Sequence, residues 1–265
     1  MIERTFLFVP GDRPEKFTKA MDSGADVTII DLEDAVSPQR KSLARQAMAS
    51  YLSEPKSKKV IIRVNGGDTP WYHDDIMAVR TTNIVGLMLP KTTGPEQIER
   101  VLETLGRPLE IIPLVETAKG IVNLPAISDH PAVQRMAFGS IDLQMDIGIP
   151  GSRDALLFAR SQIVLHSKAS ELLPPIDGVT TNFRDPSTVL EDCRYARSLG
   201  FGGKLCIHPN QISPARMGLA PEESEVAWAE EVLNAVATET GAVSLNGKMI
   251  DAPVVEYAKR VLTMT

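Results

Sequence analysis

The stretch Val27-Thr28-Ile29-Ile30-Asp31 is a run of apolar, mostly β-branched residues that carries no charge until its last position. Val60-Ile61-Ile62-Arg63 repeats the pattern further along the chain. Such runs are typical of strands that are covered on both faces, as in a parallel sheet. Eight strands are predicted in this way: Thr5–Val9, Val27–Asp31, Val60–Val64, Val85–Leu89, Glu110–Val115, Arg135–Phe138, Ile176–Val179 and Lys204–Ile207.

Segments with helical periodicity separate these runs. Pro95 begins one such segment and Gly106 directly follows it, which is the usual order of helix start and stop signals. The predicted helices are Pro14–Ser23, Pro95–Leu105, Asp154–Leu173, Ser187–Leu199 and Pro221–Thr238. Strands that alternate with helices predict an α/β fold, and eight units in a chain of 265 residues predict a (β/α)8 TIM barrel.

The last residues of the chain do not continue this alternation. No linker rich in Gly, Ser or Pro divides the sequence, so we predict a barrel over residues 1–240. Residues 241–265 are predicted to form a short appendage, with a turn at Asn246-Gly247, an extended segment Lys248–Ile250 and a helix after Pro253. This appendage is too small to be a separate domain.

Composition excludes several classes of function. The net charge is −6, so there is no overall basic field to hold nucleic acid or an anionic membrane. The N-terminus lacks the features of a signal peptide, and no apolar run is long enough to span a membrane. Two cysteines, Cys193 and Cys206, fit no zinc or disulfide pattern. We therefore expect a cytoplasmic protein.

Polar side chains collect where the predicted strands end, which is where the active site of such a barrel forms. Glu116 and Asp142 each follow an apolar strand, and those two strands are neighbours. Two carboxylates together with water suit Mg²⁺ and leave coordination positions open for a substrate. The alternative is that either acid caps the following helix.

A guanidinium and several acids lie at the ends of the neighbouring strands. Arg63 suits a substrate carboxylate, which it can grip with two parallel hydrogen bonds, although it can equally pair with Glu33 or Asp34. Asp31 and Glu33 are placed to brace Arg63, Lys91 or metal-bound water, or they belong to a solvated turn. Lys91 can neutralise a substrate anion or pair with these acids.

His208 ends the eighth predicted strand and is followed by Pro209. A general base is one interpretation, and a hydrogen-bonded structural residue is the commoner one. The glycines form neither a GxGxxG motif nor a Walker loop, so a nucleotide triphosphate or Rossmann dinucleotide site has no support.

The order of these motifs resembles the citrate lyase β-subunit-like proteins of the HpcH/HpaI aldolase superfamily, which includes the malyl-CoA and citramalyl-CoA lyases. The resemblance covers essentially the whole chain. It is carried by Leu7–Pro14, Asp31–Val36, Ile62–Asn65, Leu89–Lys91, Val115–Gly120, Phe138–Leu143, Cys206–Gln211 and Gly247–Pro253.

The resemblance implies an Mg²⁺-dependent carbon–carbon lyase that acts on a hydroxyacyl-CoA thioester or a small keto acid, and commonly a homotrimer. It implies that Asp251, in the appendage, reaches a neighbouring subunit's site, although Asp251 also fits an N-cap before Pro253. The expected roles are catalysis by Asp251, Arg63 and Glu33, substrate binding by Arg63, Lys91 and Asp31, CoA binding by Arg13 and Lys41, and metal binding by Glu116 and Asp142.

The chain also departs from some relatives. It is shorter than typical malyl-CoA lyases, and its first histidine is His73, whereas the CoA-independent pyruvate aldolases of the superfamily carry an early catalytic histidine. This favours the thioester branch. A CoA-independent aldolase, a citrate lyase subunit that acts on a carrier-bound citryl group, and a non-enzymatic barrel are the alternatives.

Overall fold

The computed structural model describes residues 2–238, 243–245 and 247–264. Eight parallel strands close into a barrel in sequence order, with the eighth hydrogen-bonded to the first, so the predicted fold is confirmed. The strands are β1 (Thr5–Pro10), β2 (Val27–Asp31), β3 (Lys59–Arg63), β4 (Gly86–Leu89), β5 (Glu110–Val115), β6 (Ala137–Phe138), β7 (Ile176–Asp177) and β8 (Gly203–Cys206).

Alternate residues of each strand enter two different apolar layers, because successive side chains point to opposite faces. Ile29 and Ile61 lie in the barrel interior, whereas Ile30 and Ile62 pack against the surrounding helices. Burial of each such side chain contributes about 2 kcal/mol. Uncharged runs with both faces covered are therefore the physical basis of the strand prediction.

Twelve helices are seen in the described residues. They are α1 (Phe17–Met21), α2 (Lys41–Tyr51), α3 (Tyr72–Arg80), α4 (Pro95–Leu105), α5 (Ala118–Val122), α6 (Leu124–Ser128), α7 (Ser140–Ile147), α8 (Leu157–Ala169), α9 (Pro186–Leu199), α10 (Ile212–Leu219), α11 (Glu223–Thr238) and α12 (Ala252–Thr263). None of the helices described is long and apolar enough to cross a membrane.

Some predicted element ends were wrong. The helix predicted to run to Leu173 ends at Ala169, because the chain turns at Glu171, whose φ is +57°. Strand β6 begins two residues later than predicted, at Ala137. Arg135 instead sends its guanidinium across the amino-terminal end of the barrel, where Nε and Nη1 donate to the carbonyls of Pro174 and Glu3 at 2.6 and 2.7 Å.

The C-terminal elements pack away from the carboxyl ends of the strands. Strands β9 (Val243–Leu245) and β10 (Lys248–Ile250) form an antiparallel hairpin, and α12 packs on α11. The guanidinium of Arg4, which precedes β1, donates to the carbonyl of Met264 just after α12. This contact places the end of α12 at the amino-terminal end of the barrel. The predicted boundary at residues 240 and 241 lies outside the described residues.

Candidate active site

The carboxyl ends of the strands surround a cavity of about 350 Å³. Asp31, Arg63, Glu116 and Asp142 line it, and Asp34 lies at its edge. They come from β2, β3 and β5 and from α7 after β6, so the closed barrel brings together residues that are far apart in the sequence. The apolar side chains of the wall include Phe8, Leu114, Phe138, Val179, Leu205 and Ile207.

Asp31 and Arg63 form a buried bidentate pair. Nε and Nη2 of Arg63 donate to the two carboxylate oxygens of Asp31, each at 2.7 Å. The backbone N–H groups of Glu33 and Ala35 donate to the same two oxygens at 2.9 Å. Burial acts to raise the pKa of Asp31, but the charge and hydrogen bonds of Arg63 outweigh it, so this pKa lies below its ordinary value. Both oxygens are in use, which favours a positioning role for Asp31.

The remaining edge of the Arg63 guanidinium faces the cavity. Nη1 lies 3.0 Å from Oε2 of Glu33 and 3.2 Å from Oδ2 of Asp34, and the ring of Phe8 lies 4.7 Å from the guanidinium carbon. Burial acts to lower the pKa of Arg63, but the three carboxylates raise it, so the side chain stays charged. Pairing with acids, the alternative to substrate binding, is therefore present, and it holds the planar group in one orientation.

Glu33 is buried beside this pair, and the hydrogen-bonding capacity of its carboxylate is only partly used. Its Oε2 makes no hydrogen bond in the described part of the chain, because the approach of Arg63 has the distance of an ion pair but not the angle of a hydrogen bond. Burial raises the pKa of Glu33 to about 7, and Arg63 offsets this only in part. Glu33 does not itself line the cavity, but a carboxyl group beside Arg63 whose pKa lies near neutral pH is suited to exchange a proton.

Glu116 directly follows β5 and is 2% exposed. Its Oε1 accepts a hydrogen bond of 2.8 Å from the backbone N–H of Lys91, whose φ of +49° turns that N–H toward the site. A Cβ at residue 139 would lie 2.3 Å from Oε2 of Glu116, so only glycine fits there. Burial raises the pKa of Glu116 to about 8, and the negative charges of Glu33 and Asp142 add to this effect.

Asp142 lies in the first turn of α7 and lines the same cavity as Glu116. No side-chain hydrogen bond caps α7, so the alternative that Asp142 serves as the cap is wrong. Its charge acts on Glu116, as expected for two carboxylates that share one site. The two predicted metal ligands, Glu116 and Asp142, therefore lie in one cavity.

The donor set suits a hard divalent cation. All of the candidate ligand atoms are carboxylate oxygens, and a cation would relieve the repulsion among Glu33, Glu116 and Asp142. No group of three or more His, Cys, Asp or Glu side chains with metal-binding geometry occurs in residues 2–238, 243–245 and 247–264. A site on two carboxylates therefore keeps positions for water and substrate oxygens.

Four other predicted residues lie outside this cavity. Lys41 is buried, and its ammonium donates to the carbonyls of Leu32 and Glu33, both at 2.8 Å, and to Oδ1 of Asn65 at 2.6 Å. These contacts use all three donors and do not favour the predicted contact with CoA. Arg13 and the side chain of Lys91 are exposed at the rim. Asp251 is exposed and caps α12, accepting from the backbone N–H of Val254 at 3.2 Å.

A hydrogen-bond network behind the site was not predicted from the sequence. Asp75 is fully buried and accepts two hydrogen bonds from Asn65, at 2.9 Å from the backbone and 2.6 Å from the side chain. Asn65 in turn holds Lys41 under the loop that carries Glu33. The adjacent Asp74 is exposed, and the sequence signal that separates the two acids is the helical spacing of Asp75 from Val79 on the buried face of α3. His208 accepts from the backbone N–H of Asn210 at 3.1 Å, as its structural interpretation predicts.

Comparison with known proteins agrees with this geometry. Residues 4–209 match the family model of the HpcH/HpaI aldolase/citrate lyase family. A citrate lyase subunit beta-like protein of Mycobacterium tuberculosis is 36% identical over 97% of this chain and 93% of its own length. The mitochondrial citramalyl-CoA lyase of Rattus norvegicus is 31% identical over 98% of this chain and 85% of its own length.

A solved structure extends the comparison to the fold. The crystal structure of the protein CitE from Mycobacterium tuberculosis, in complex with magnesium, acetoacetate and coenzyme A, superposes with a TM-score of 0.90 at 33% identity. The superposition covers 99% of this chain and 97% of that one. The chain belongs to the HpcH/HpaI aldolase/citrate lyase family.

Proposed function

We propose that the protein is a magnesium-dependent carbon–carbon lyase that cleaves a hydroxyacyl-CoA thioester to a keto acid and an acyl-CoA, or catalyses the reverse condensation. The observation that carries this proposal is a single cavity in which two carboxylates, Glu116 and Asp142, face the guanidinium of Arg63. The relatives support it, since they include a citramalyl-CoA lyase and a CitE structure with magnesium and coenzyme A.

Glu116 and Asp142 are the proposed magnesium ligands, and Arg63 is the proposed ligand of the substrate carboxylate. When bound, Mg²⁺ would supply Lewis-acid stabilisation of negative charge on the substrate oxygens. Asp31 occupies one edge of the Arg63 guanidinium, and the substrate carboxylate would take the other edge, where Nη1 now contacts Glu33 and Asp34. Glu33, next to that second edge, is proposed to hold or release a proton during turnover.

The cleavage step needs a base for the substrate hydroxyl. We assign this base to Asp251 of a neighbouring subunit in a homotrimer, because Asp251 is exposed in the appendage and does not line the cavity of its own barrel. The carboxylate takes the hydroxyl proton as the carbon–oxygen bond becomes a carbonyl. The adjacent carbon–carbon bond breaks, and its electron pair passes to the acyl-CoA enolate, which a proton then quenches. Arg63 retains the keto acid.

Replacing Asp251 by asparagine is expected to lower kcat by about a hundredfold or more while leaving substrate binding intact. Asparagine keeps an oxygen for the cap of α12 but cannot accept the proton. Mixing Asp251→Asn subunits with Arg63→Ala subunits should restore activity, because a mixed trimer contains sites with both groups intact. Full activity of the single variant, or no recovery on mixing, would contradict the shared site.

A groove beside the cavity supports thioester binding. It has a volume of about 410 Å³, is lined by Lys16, Lys19 and His208, and shares Phe8 and other wall residues with the cavity. The exposed Arg13 follows β1, which also lines the groove. We propose that Arg13, Lys16 and Lys19 bind the CoA phosphates, as predicted for Arg13. We propose that Lys41 instead supports the loop that carries Glu33.

The proposed activity is tested with a panel of substrates in the presence of Mg²⁺. Citryl-CoA, malyl-CoA and citramalyl-CoA are compared with a free hydroxy-keto acid and with a citryl group on an acyl-carrier protein, and the released keto acid is measured. Turnover of a CoA thioester alone supports the proposal. Turnover only of the free acid, or only of the carrier-bound group, would replace it with one of the other two lyase activities.

Removal of the metal is expected to make the stability of the fold depend on pH. The pKa values of Glu33, about 7, and of Glu116, about 8, are raised above their ordinary value. A raised pKa stabilises the fold while the group is protonated, and this contribution is lost as the pH rises through the folded-state pKa. The Tm in EDTA should therefore fall as the pH rises from about 4.5, the ordinary pKa of a glutamate, to about 8, the raised pKa of Glu116. Added Mg²⁺ should remove the fall, and an unchanged slope with Mg²⁺ would contradict the site.

The proposed mechanism gives the two parts of the chain different roles. We propose residues 1–240 as the catalytic barrel and residues 241–265 as an appendage that serves a neighbouring barrel. The free cysteines Cys193 and Cys206 are both buried, which supports a reducing compartment such as the cytoplasm.

A further inference from the structure

A second, polar cavity lies outside the barrel wall, between β7, β8 and the helices α8 and α9. It has a volume of about 280 Å³. Its buried floor is formed by Arg160, Asp177 and Lys204, and Thr181 and Thr188 lie in its wall. Neither the proposed lyase chemistry nor the CoA groove uses these residues. We call this space the side cavity.

The floor of the side cavity carries more positive than negative charge. Lys204 donates to one oxygen of Asp177 at 2.9 Å, and Arg160 donates through Nε to the other at 3.1 Å. A single carboxylate therefore faces two cations, and all three side chains are nearly buried, with 3%, 11% and 3% exposure for Lys204, Arg160 and Asp177. A buried charge without compensation is costly, so one counter-charge is missing.

The neighbouring acid supplies that charge only in part, because Asp192 acts on Lys204 through its charge but has its oxygens engaged elsewhere. Asp192 lies in the wall of the side cavity, and it pairs with Arg153 at 2.9 Å and accepts from the hydroxyl of Thr180 at 2.6 Å. This second pair is neutral by itself. The sum over the five charged groups of the cavity is one positive charge.

An independent observation points to the same missing partner. Nη1 of Arg160 is buried and has no hydrogen-bond acceptor among the described residues. Its guanidinium is held by the rings of Phe138 and Tyr195, at 5.1 and 5.9 Å. A buried guanidinium nitrogen without an acceptor is rare in native proteins and indicates a ligand or a water molecule.

We propose that the side cavity is a binding site for a phosphate-sized oxyanion, held by Arg160 and Lys204. The anion supplies the missing negative charge, accepts from Nη1 of Arg160 and from the free N–H groups of Lys204, and fits the available volume. Ser140, Ile141 and Val179 line both this cavity and the candidate active site, so the anion lies directly behind the wall of α7. The site is independent of whether the protein is a lyase.

The test uses inorganic phosphate and the whole protein in EDTA. Phosphate at about ten times its Kd should raise the Tm of the wild-type protein by about 3 °C. Arg160→Gln should weaken phosphate binding at least tenfold by calorimetry. The matched control is Arg194→Gln, which removes one positive charge from α9, where Arg194 pairs with Glu222, and should bind phosphate like the wild type.

A second variant covers the case in which Arg160→Gln does not fold. Thr181 is exposed at the mouth of the side cavity, and Thr181→Glu places a carboxylate there that should abolish the response to phosphate. Phosphate binding that persists at saturating CoA identifies a free anion as the occupant and supports the proposal, whereas binding that CoA displaces and that Arg160→Gln leaves unchanged places the phosphate in the CoA groove. If the wild-type protein does not bind phosphate, the floor of the side cavity holds water alone and the proposal is overturned. If Arg160→Gln and Thr181→Glu bind phosphate as tightly as the wild type, phosphate binds elsewhere, such as in the CoA groove, and the proposal is also overturned.

Discussion

Replacing Glu116 by glutamine is expected to abolish Mg²⁺ binding and to lower kcat by about a thousandfold. The substitution keeps the size of the side chain and its hydrogen bond from the backbone of Lys91, but it removes one of two proposed carboxylate ligands. Loss of the metal leaves the developing oxygen charge without its main stabilisation. Calorimetric titration with Mg²⁺ and a keto acid assay together measure both effects.

The fold of this variant should remain intact, which separates chemistry from stability. Burial raises the pKa of Glu116 to about 8, so a neutral amide is better accommodated there than a carboxylate in metal-free protein at high pH. Glu110→Gln is the matched control. Glu110 begins the same strand, its pKa is also raised by burial, and it lies at the opposite end of the barrel. Full turnover by Glu116→Gln, or by the wild type in EDTA, would end the metal assignment.

Replacing Arg63 by lysine is expected to lower kcat/KM by about a hundredfold, mainly through weaker binding of the keto acid. Lysine keeps the charge but lacks the planar group that binds both oxygens of Asp31 with one edge and presents a second edge to the cavity. An ammonium that pairs with Asp31 cannot also hold a carboxylate with two parallel hydrogen bonds. The assay is the condensation direction, with KM measured separately for the keto acid and for the acyl-CoA.

A second bidentate arginine provides the control for this substitution. Arg197 binds both oxygens of Glu225, at 2.7 and 2.9 Å, near the amino-terminal end of the barrel. Arg197→Lys breaks a similar pair and should leave both KM values unchanged. If Arg63→Lys raises the KM for the acyl-CoA but not for the keto acid, Arg63 does not bind the carboxylate.

The fold was predictable because each strand is a local signal. Apolar runs rich in β-branched residues, such as β2 and β3, follow from burial on both faces, and the closed topology follows from eight predicted strands in order. The ends of elements were less predictable, because distant partners set them. Arg135 does not belong to β6, because its side chain donates to the carbonyls of Glu3 and Pro174. These partners are distant in the sequence, so the residues around position 135 do not predict the contact.

The residues of the candidate site were predictable from the sequence, but the contacts that set the role of each residue were not. The rule that polar residues end the strands placed Arg63, Glu116 and Asp142 in one cavity. Only packing shows that both oxygens of Asp31 are occupied, and that Lys41 points under a loop and not toward solvent. The task proposed for Asp251 needs a second subunit, which a single chain's contacts do not contain.

The seam between β1 and β8 has a consequence for biosynthesis. Thr5 pairs with Lys204, and the cavity wall contains both Phe8 and Ile207. The pocket is therefore built from the first and the last strand of the barrel. A ribosome-bound chain that stops before residue 203 has two unpaired strand edges and an open sheet. Such a nascent chain cannot yet form the pocket, and its unpaired edges are expected to make it prone to aggregation until β8 emerges from the ribosome.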